Sequence, residues 1–167
     1  MQTQFYSLSL ARSRAWLVAT AFVSGNILLP QLVHLIPQGG LIFLPIYFFT
    51  LIGAYKYGTQ VGVLTAVVSP LVNSALFGMP VVAMLPIIML KGVLLAVFAG
   101  YAAQRVKKAD LLTLAAVVLS YQAVGCAIEA IAAGSILTGI QDFRIGFPGM
   151  LLQVFGGWVI INKVFRR

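Results

Sequence analysis

Residues 15 to 55 run for 41 positions without an Asp, Glu, Lys or Arg. A water-soluble fold could not place so long an uncharged stretch without exposing much of it. A membrane-crossing helix needs about 20 mainly apolar residues, so this stretch holds two crossings. Pro37-Gln38-Gly39-Gly40 in its middle supplies the turn between them. The pattern repeats over residues 57 to 104, 48 positions whose only charge is Lys91 and which break at Gly78-Met79-Pro80. Residues 111 to 141 carry only Glu129, and residues 145 to 162 are again uncharged. Dyad alternation is missing from all of these runs, which excludes an outer-membrane barrel pattern.

The expectation is an all-α integral membrane bundle of six transmembrane helices in one domain, residues 1–167. The spans fall at roughly 14–35, 41–55, 58–77, 81–104, 111–137 and 146–164. Composition agrees: 61% of residues are hydrophobic and 8% charged, against about 45–50% and about 25% in ordinary soluble domains. The net charge of +8 would point to nucleic acid in a soluble chain, but here it reads as topology. Arg12, Arg14, Lys56, Arg105, Lys107, Lys108, Lys163, Arg166 and Arg167 fall on one side of the alternating spans, and Arg144 alone on the other. Both termini are therefore expected in the cytoplasm, in a multi-pass protein of the cell inner membrane with the bilayer itself as a partner. The apolar run after Arg14 is too long for a cleaved signal peptide, so the first span is expected to stay.

Against this background the polar residues are few enough to weigh one by one. Ala11, Ala15 and Ala19 recur at intervals of four in the first span and place small side chains on one face, which suits either a docking partner or packing inside the bundle. Asn26, Pro30, Gln31, His34, Pro37 and Gln38 form a polar, proline-marked series toward the outer turn, where unsatisfied polar groups would be costly in lipid. Ser69-Pro70, Asn73 and Met79-Pro80 mark a loosened stretch between the third and fourth spans, of the kind found at binding sites in transporters. Lys91 and Glu129 are ionisable groups at membrane depth, each costing about 2.5–3.5 kcal/mol on insertion scales. At 1.5 Å per residue Lys91 lies about 16 Å inward of Pro80, and Glu129 about 12 Å inward of residue 137, so they can meet. Their pairing serves either a solute cavity or a salt bridge that only holds the bundle. Gln122 and Gln153, with Tyr121, complete the candidate polar pocket.

Catalytic signatures are missing. There is no phosphate-cradling G-x-x-x-x-G-K sequence, nucleophile elbow, carboxylate dyad or His/Cys cluster, so neither an enzyme, a metal site nor a cofactor is expected. Cys126 has no second cysteine to pair with.

In order along the chain, the alanine stripe, Leu44-Pro45 to Gly53 with Tyr57-Gly58, Ser69-Pro70-Leu71 with Gly78-Met79-Pro80, and Phe147-Pro148-Gly149-Met150-Leu151-Leu152-Gln153 carry a resemblance. Over roughly residues 11 to 165 the sequence resembles the substrate-binding S component of an energy-coupling factor transporter, closest to the pantothenate and cobalamin branch. The resemblance implies a high-affinity subunit for a water-soluble vitamin or similar micronutrient, partnered by a transmembrane coupling protein and two ATPase subunits. It implies docking through Ala11, Ala15 and Ala19. It also implies a cavity near the outer face, bounded by the loop after the first helix and by helices four to six. The residues expected to line that cavity are Asn26, His34, Gln38, Asn73, Met79, Lys91, Gln122, Glu129 and Gln153, with Lys91 favouring a carboxylated vitamin such as pantothenate. The alternatives are a self-sufficient secondary transporter that uses the Lys91 and Glu129 pair, and an assembly protein without a ligand.

Overall fold

The computed structural model describes residues 7–165; Arg166 and Arg167, counted above among the cytoplasmic cations, lie outside them. Among the described residues all regular structure is helical. Five helices are long and apolar enough to cross a membrane, which makes this a multi-pass membrane protein: α1 (Ser13–Val33), α4 (Thr59–Phe77), α5 (Leu85–Val106, extended by a 3-10 turn from Val82), α6 (Leu111–Ala133) and α9 (Phe147–Val164). Between α1 and α4 lie α2 (Gly39–Phe43) and α3 (Phe48–Tyr57), and between α6 and α9 lie α7 (Ile136–Gly139) and α8 (Gln141–Ile145). The apolar exterior matches this reading. Leu17, Leu112 and Ile131 stand largely exposed while Asn26, Thr65, Gln122 and Gln153 are fully buried, the reverse of a surface built for water.

The expected second span, 41–55, is the element the structure alters most. It is not one helix, because Leu44 takes a left-handed conformation (φ 46°) and Pro45 follows it without an N–H to offer. A 3-10 turn at Pro45–Tyr47 then leads into α3. At 1.5 Å per residue the 10 residues of α3 cover about 15 Å, half a bilayer core. Phe48 and Thr50 through Lys56 are all buried, and α3 packs against α1, α4, α5 and α9, so the short helix is the axis of the bundle. The segment nevertheless returns the chain along the full length of α1. It begins with Gly39 against the Val33 carbonyl and ends where Leu8 N–H donates to the Tyr57 carbonyl at 2.9 Å. The fifth span also ends sooner than expected: Gly134, at φ 61°, stops α6, and Ser135 caps α7 through the Thr138 N–H.

Asn26 closes the polar interior around this interruption. Pro30 removes the N–H that would have bonded the Asn26 carbonyl within α1, and Asn73 Nδ2 from α4 donates to that carbonyl at 2.9 Å instead. The Asn26 side chain accepts from Phe49 N–H at 3.1 Å, satisfying an otherwise unpaired donor in the first turn of α3. Its Nδ2 donates to Thr50 Oγ1 at 3.0 Å and to Ser69 Oγ at 3.4 Å. One side chain thus joins α1, α3 and α4.

The end of the bundle that carries both described chain ends is bonded across several elements. Tyr55 Oη donates to the Lys108 carbonyl at 2.7 Å, Lys56 Nζ to the Phe165 carbonyl at 2.9 Å, and Asn162 Nδ2 to the Ala109 carbonyl at 2.8 Å. At this end Asp110 caps α6, accepting from Thr113 N–H at 2.7 Å, with Lys108 at 3.0 Å from its other oxygen. The Thr113 bonds first, and Lys108 second, hold its carboxyl down at about 2.

Ala15 and Ala19 are turned inward. They are 0% and 1% exposed, on a helix that packs against α3 and α4, so their small size serves the bundle's own packing; Ala11 alone of the three is exposed. Of the stripe expected to dock, the structure thus turns Ala15 and Ala19 inward and leaves Ala11 at the surface: intervals of four select a face of α1 but do not say whether it looks in or out.

Two outcomes follow. Asn26→Leu strands the Phe49 N–H and removes the hub, and should lower stability in detergent by about 2 kcal/mol in a denaturation titration. Asp110 has a depressed folded value, so its contribution is present above the unfolded value of 3.8 and is lost as pH falls toward 2. The advantage of wild type over Asp110→Ala, about 1 kcal/mol near neutral pH, should fall over that window, whereas that of Asp110→Asn, which has no proton to gain, should stay level across it.

Candidate functional site

The break at Leu44–Pro45 opens space that a straight helix would have filled. At the end of the bundle opposite the bonded one, a cavity of about 300 Å³ lies between the end of α1, the loop after it, α2, the end of α4 and the start of α5. His34, Gln38, Asn73 and Met79 line it, as the sequence leads one to expect. A smaller space of about 100 Å³ continues inward, sharing Gly40, Leu41, Ile46, Met84 and Ile88 with the first and reaching Tyr47, Lys91 and Glu129. The two adjoin across those shared residues, and the ion pair lines the smaller one.

Lys91 Nζ donates to Glu129 Oε2 across α5 and α6. The partners are not equally open, for the Lys91 side chain is 2% exposed and that of Glu129 14%. Gly125 explains the difference. A Cβ at that position would sit 2.7 Å from Lys91 Cγ and 3.2 Å from Cε, so only a glycine on α6 lets the lysine stem lie flat across the helix. From there the ammonium reaches a carboxylate one turn from the C-terminal end of α6.

Asn73 borders the cavity with much of its side chain already committed: Nδ2 donates to the Asn26 and Ser69 carbonyls, and Oδ1 accepts from Gln31 Nε2 at 3.3 Å. What it offers a bound molecule is the spare acceptor capacity of that oxygen. His34 lies against Gly40, where an added Cβ would come within 2.6 Å of its Nε2, so the α1–α2 loop is folded tightly at the cavity mouth.

Three expected residues stand elsewhere. Asn26 is fully buried in the hub and is not part of the cavity wall. Gln122 and Gln153 are 0% exposed between α6 and α9, behind Tyr47: its ring lies 5.6 Å from that of Tyr121, whose hydroxyl donates to Gln153 Oε1 at 3.0 Å. Gln122 Nε2 donates to Met150 Sδ at 3.5 Å. Among the described residues Gln122 Oε1 and Gln153 Nε2 have no hydrogen-bond partner, and Gln153 lies in a π-helical turn, Leu152–Gly156. The expected contribution of the last helix to the cavity is thus replaced by α2 and the turn at Pro45. Sequence reading missed the apolar wall, Pro45, Ile46, Met84 and Ile88, because residues of this kind fill every span of the chain. Pro45 inside an uncharged run was the one signal that could have placed a break there. Among the described residues no three His, Cys, Asp or Glu side chains come together as a metal would require.

No protein-family model, curated protein or solved structure matches this chain.

A buried pair broken on one side costs far more than a pair removed whole. Glu129→Gln should lower stability in detergent by about 3 kcal/mol, and the double variant Lys91→Met/Glu129→Gln should regain most of that loss. Equal losses in the two proteins would show that the pair is not coupled.

Proposed function

We propose that this chain is a membrane-embedded binding subunit for uptake of a small water-soluble solute, of the kind that works with a coupling protein and ATPases. The observation that carries the reading is the cavity at one end of the bundle: preformed, apolar-walled, adjoined by a smaller space that an ion pair lines, and set opposite a tightly bonded base. Its volume of about 300 Å³ is at the lower end of ordinary small-molecule pockets, which suits a vitamin-sized solute or part of one. The sequence resemblance to energy-coupling factor S components supports the same assignment, and the chain carries no nucleotide-binding motif with which to power transport alone. The protein is not an enzyme on this reading.

The topology proposed with it counts six crossings: five long helices and the interrupted return through α2 and α3. The bonded base is placed in the cytoplasm and the cavity at the outer face of the inner membrane. Arg12, Arg14, Lys56, Arg105, Lys107, Lys108 and Lys163 gather at the base, and Arg144 at the other end, which is the distribution of the positive-inside rule. The second reading, a self-sufficient secondary transporter, is favoured by one observation only, the intramembrane ion pair beside the cavity.

The test is mass spectrometry of small molecules released from the detergent-purified protein, followed by titration of whatever is found. A solute retained near one-to-one and rebound on titration is the expected result. An empty protein that binds nothing from a vitamin panel overturns the reading. Uptake by vesicles holding this chain alone moves the assignment to secondary transport.

A further inference from the structure

The cavity contains both signs of charge, and which sign it shows to a solute is a question of geometry. We infer that Glu129, not Lys91, is the group presented, and that the solute carries a cationic nitrogen (an ammonium, amidinium or charged heteroaromatic ring) on an apolar body. This rests on the binding-subunit reading and names the chemistry of its ligand.

Four observations bear on it. The lysine is the covered partner, 2% exposed and laid across Gly125, whereas the carboxylate is 14% exposed. Lys91 donates to Glu129 Oε2, and a carboxylate has about four acceptor sites, so Glu129 can take a second donor without releasing the first. Glu129 stands one turn from the end of α6, where the helix's terminal carbonyls add negative potential and a nearby cation is favoured. Finally, the wall beside Glu129 includes the polarisable thioether of Met84, and the adjoining cavity adds the Asn73 oxygen and the thioether of Met79. The donors of His34 and Gln38 line the larger space and not the one that reaches Glu129. Both side chains line the inner space, and the carboxylate is the more open of the two. The sequence-based expectation of a carboxylated vitamin, drawn from Lys91 alone, is the opposite of this.

The experiment uses the full chain purified in detergent and a matched pair of probes, phenethylammonium and phenylacetate, alike in size and differing in the sign of charge. Apparent affinities come from the rise in unfolding temperature with probe concentration. The expected result is that phenethylammonium binds at least tenfold more tightly than phenylacetate, and that the preference disappears in Lys91→Met/Glu129→Gln, the variant that keeps the packing and removes both charges. Where Glu129→Gln alone folds, its exposed carboxylate is gone and the order of the two probes should reverse. Phenylacetate preferred by wild type, with the preference abolished in the double variant, overturns the cationic assignment and leaves the binding-subunit reading in place. A preference unchanged in the double variant overturns the assignment of Glu129. Binding of neither probe overturns both the assignment and the cavity as a binding site.

Discussion

Inside a bilayer no water is at hand to take up a broken backbone hydrogen bond, and this bundle breaks several near its middle. The Asn26 and Asn73 side chains together make those breaks tolerable. Pro30 strands a carbonyl on α1, and the turn at Pro45 leaves the Phe49 amide of α3 to be met by a side chain. The Asn26 to Asn73 to Ser69 network meets these needs within one buried cluster. Only because the break is satisfied from within can the return segment swing aside and leave space at one end. The cavity is the geometric residue of that break, and the hub is the condition for it.

The ion pair follows a similar logic. Two ionisable groups at membrane depth are acceptable as a unit, each supplying the partner that the other needs. Gly125 bears on how the unit is displayed, since the missing Cβ lets the lysine stem lie flat and stay covered. A residue with no polar chemistry at all therefore sets the electrostatic character of the inner wall.

Reading the sequence was effective where the signal was a long one. Uncharged runs located the five long helices to within about two residues at most ends, and the depth argument brought Lys91 and Glu129 together across α5 and α6. It was less effective where a short feature decides the outcome. A spacing of four marks one side of a helix without saying which, so Ala15 and Ala19 were legible as a stripe and illegible as interior residues. Leu44 in a left-handed conformation cannot be foreseen from its side chain, and with it went the expected straight second span. Among the polar residues, type alone did not separate those that face a cavity, such as His34 and Gln38, from those that knit helices together, such as Asn26 and Gln153. That distinction depends on which neighbours already hold each donor and acceptor.

The unequal bonding of the two ends has a mechanical meaning. At the base, directional bonds from Tyr55, Lys56 and Asn162 bind neighbouring elements at fixed angles. Around the cavity the walls meet largely through methionine, isoleucine and proline side chains, whose contacts have no preferred direction and tolerate sliding. The molecule is built like a pair of forceps, rigid where the arms join and compliant at the tips. Any widening of the cavity therefore falls to the walls at the tips, while the base keeps its shape.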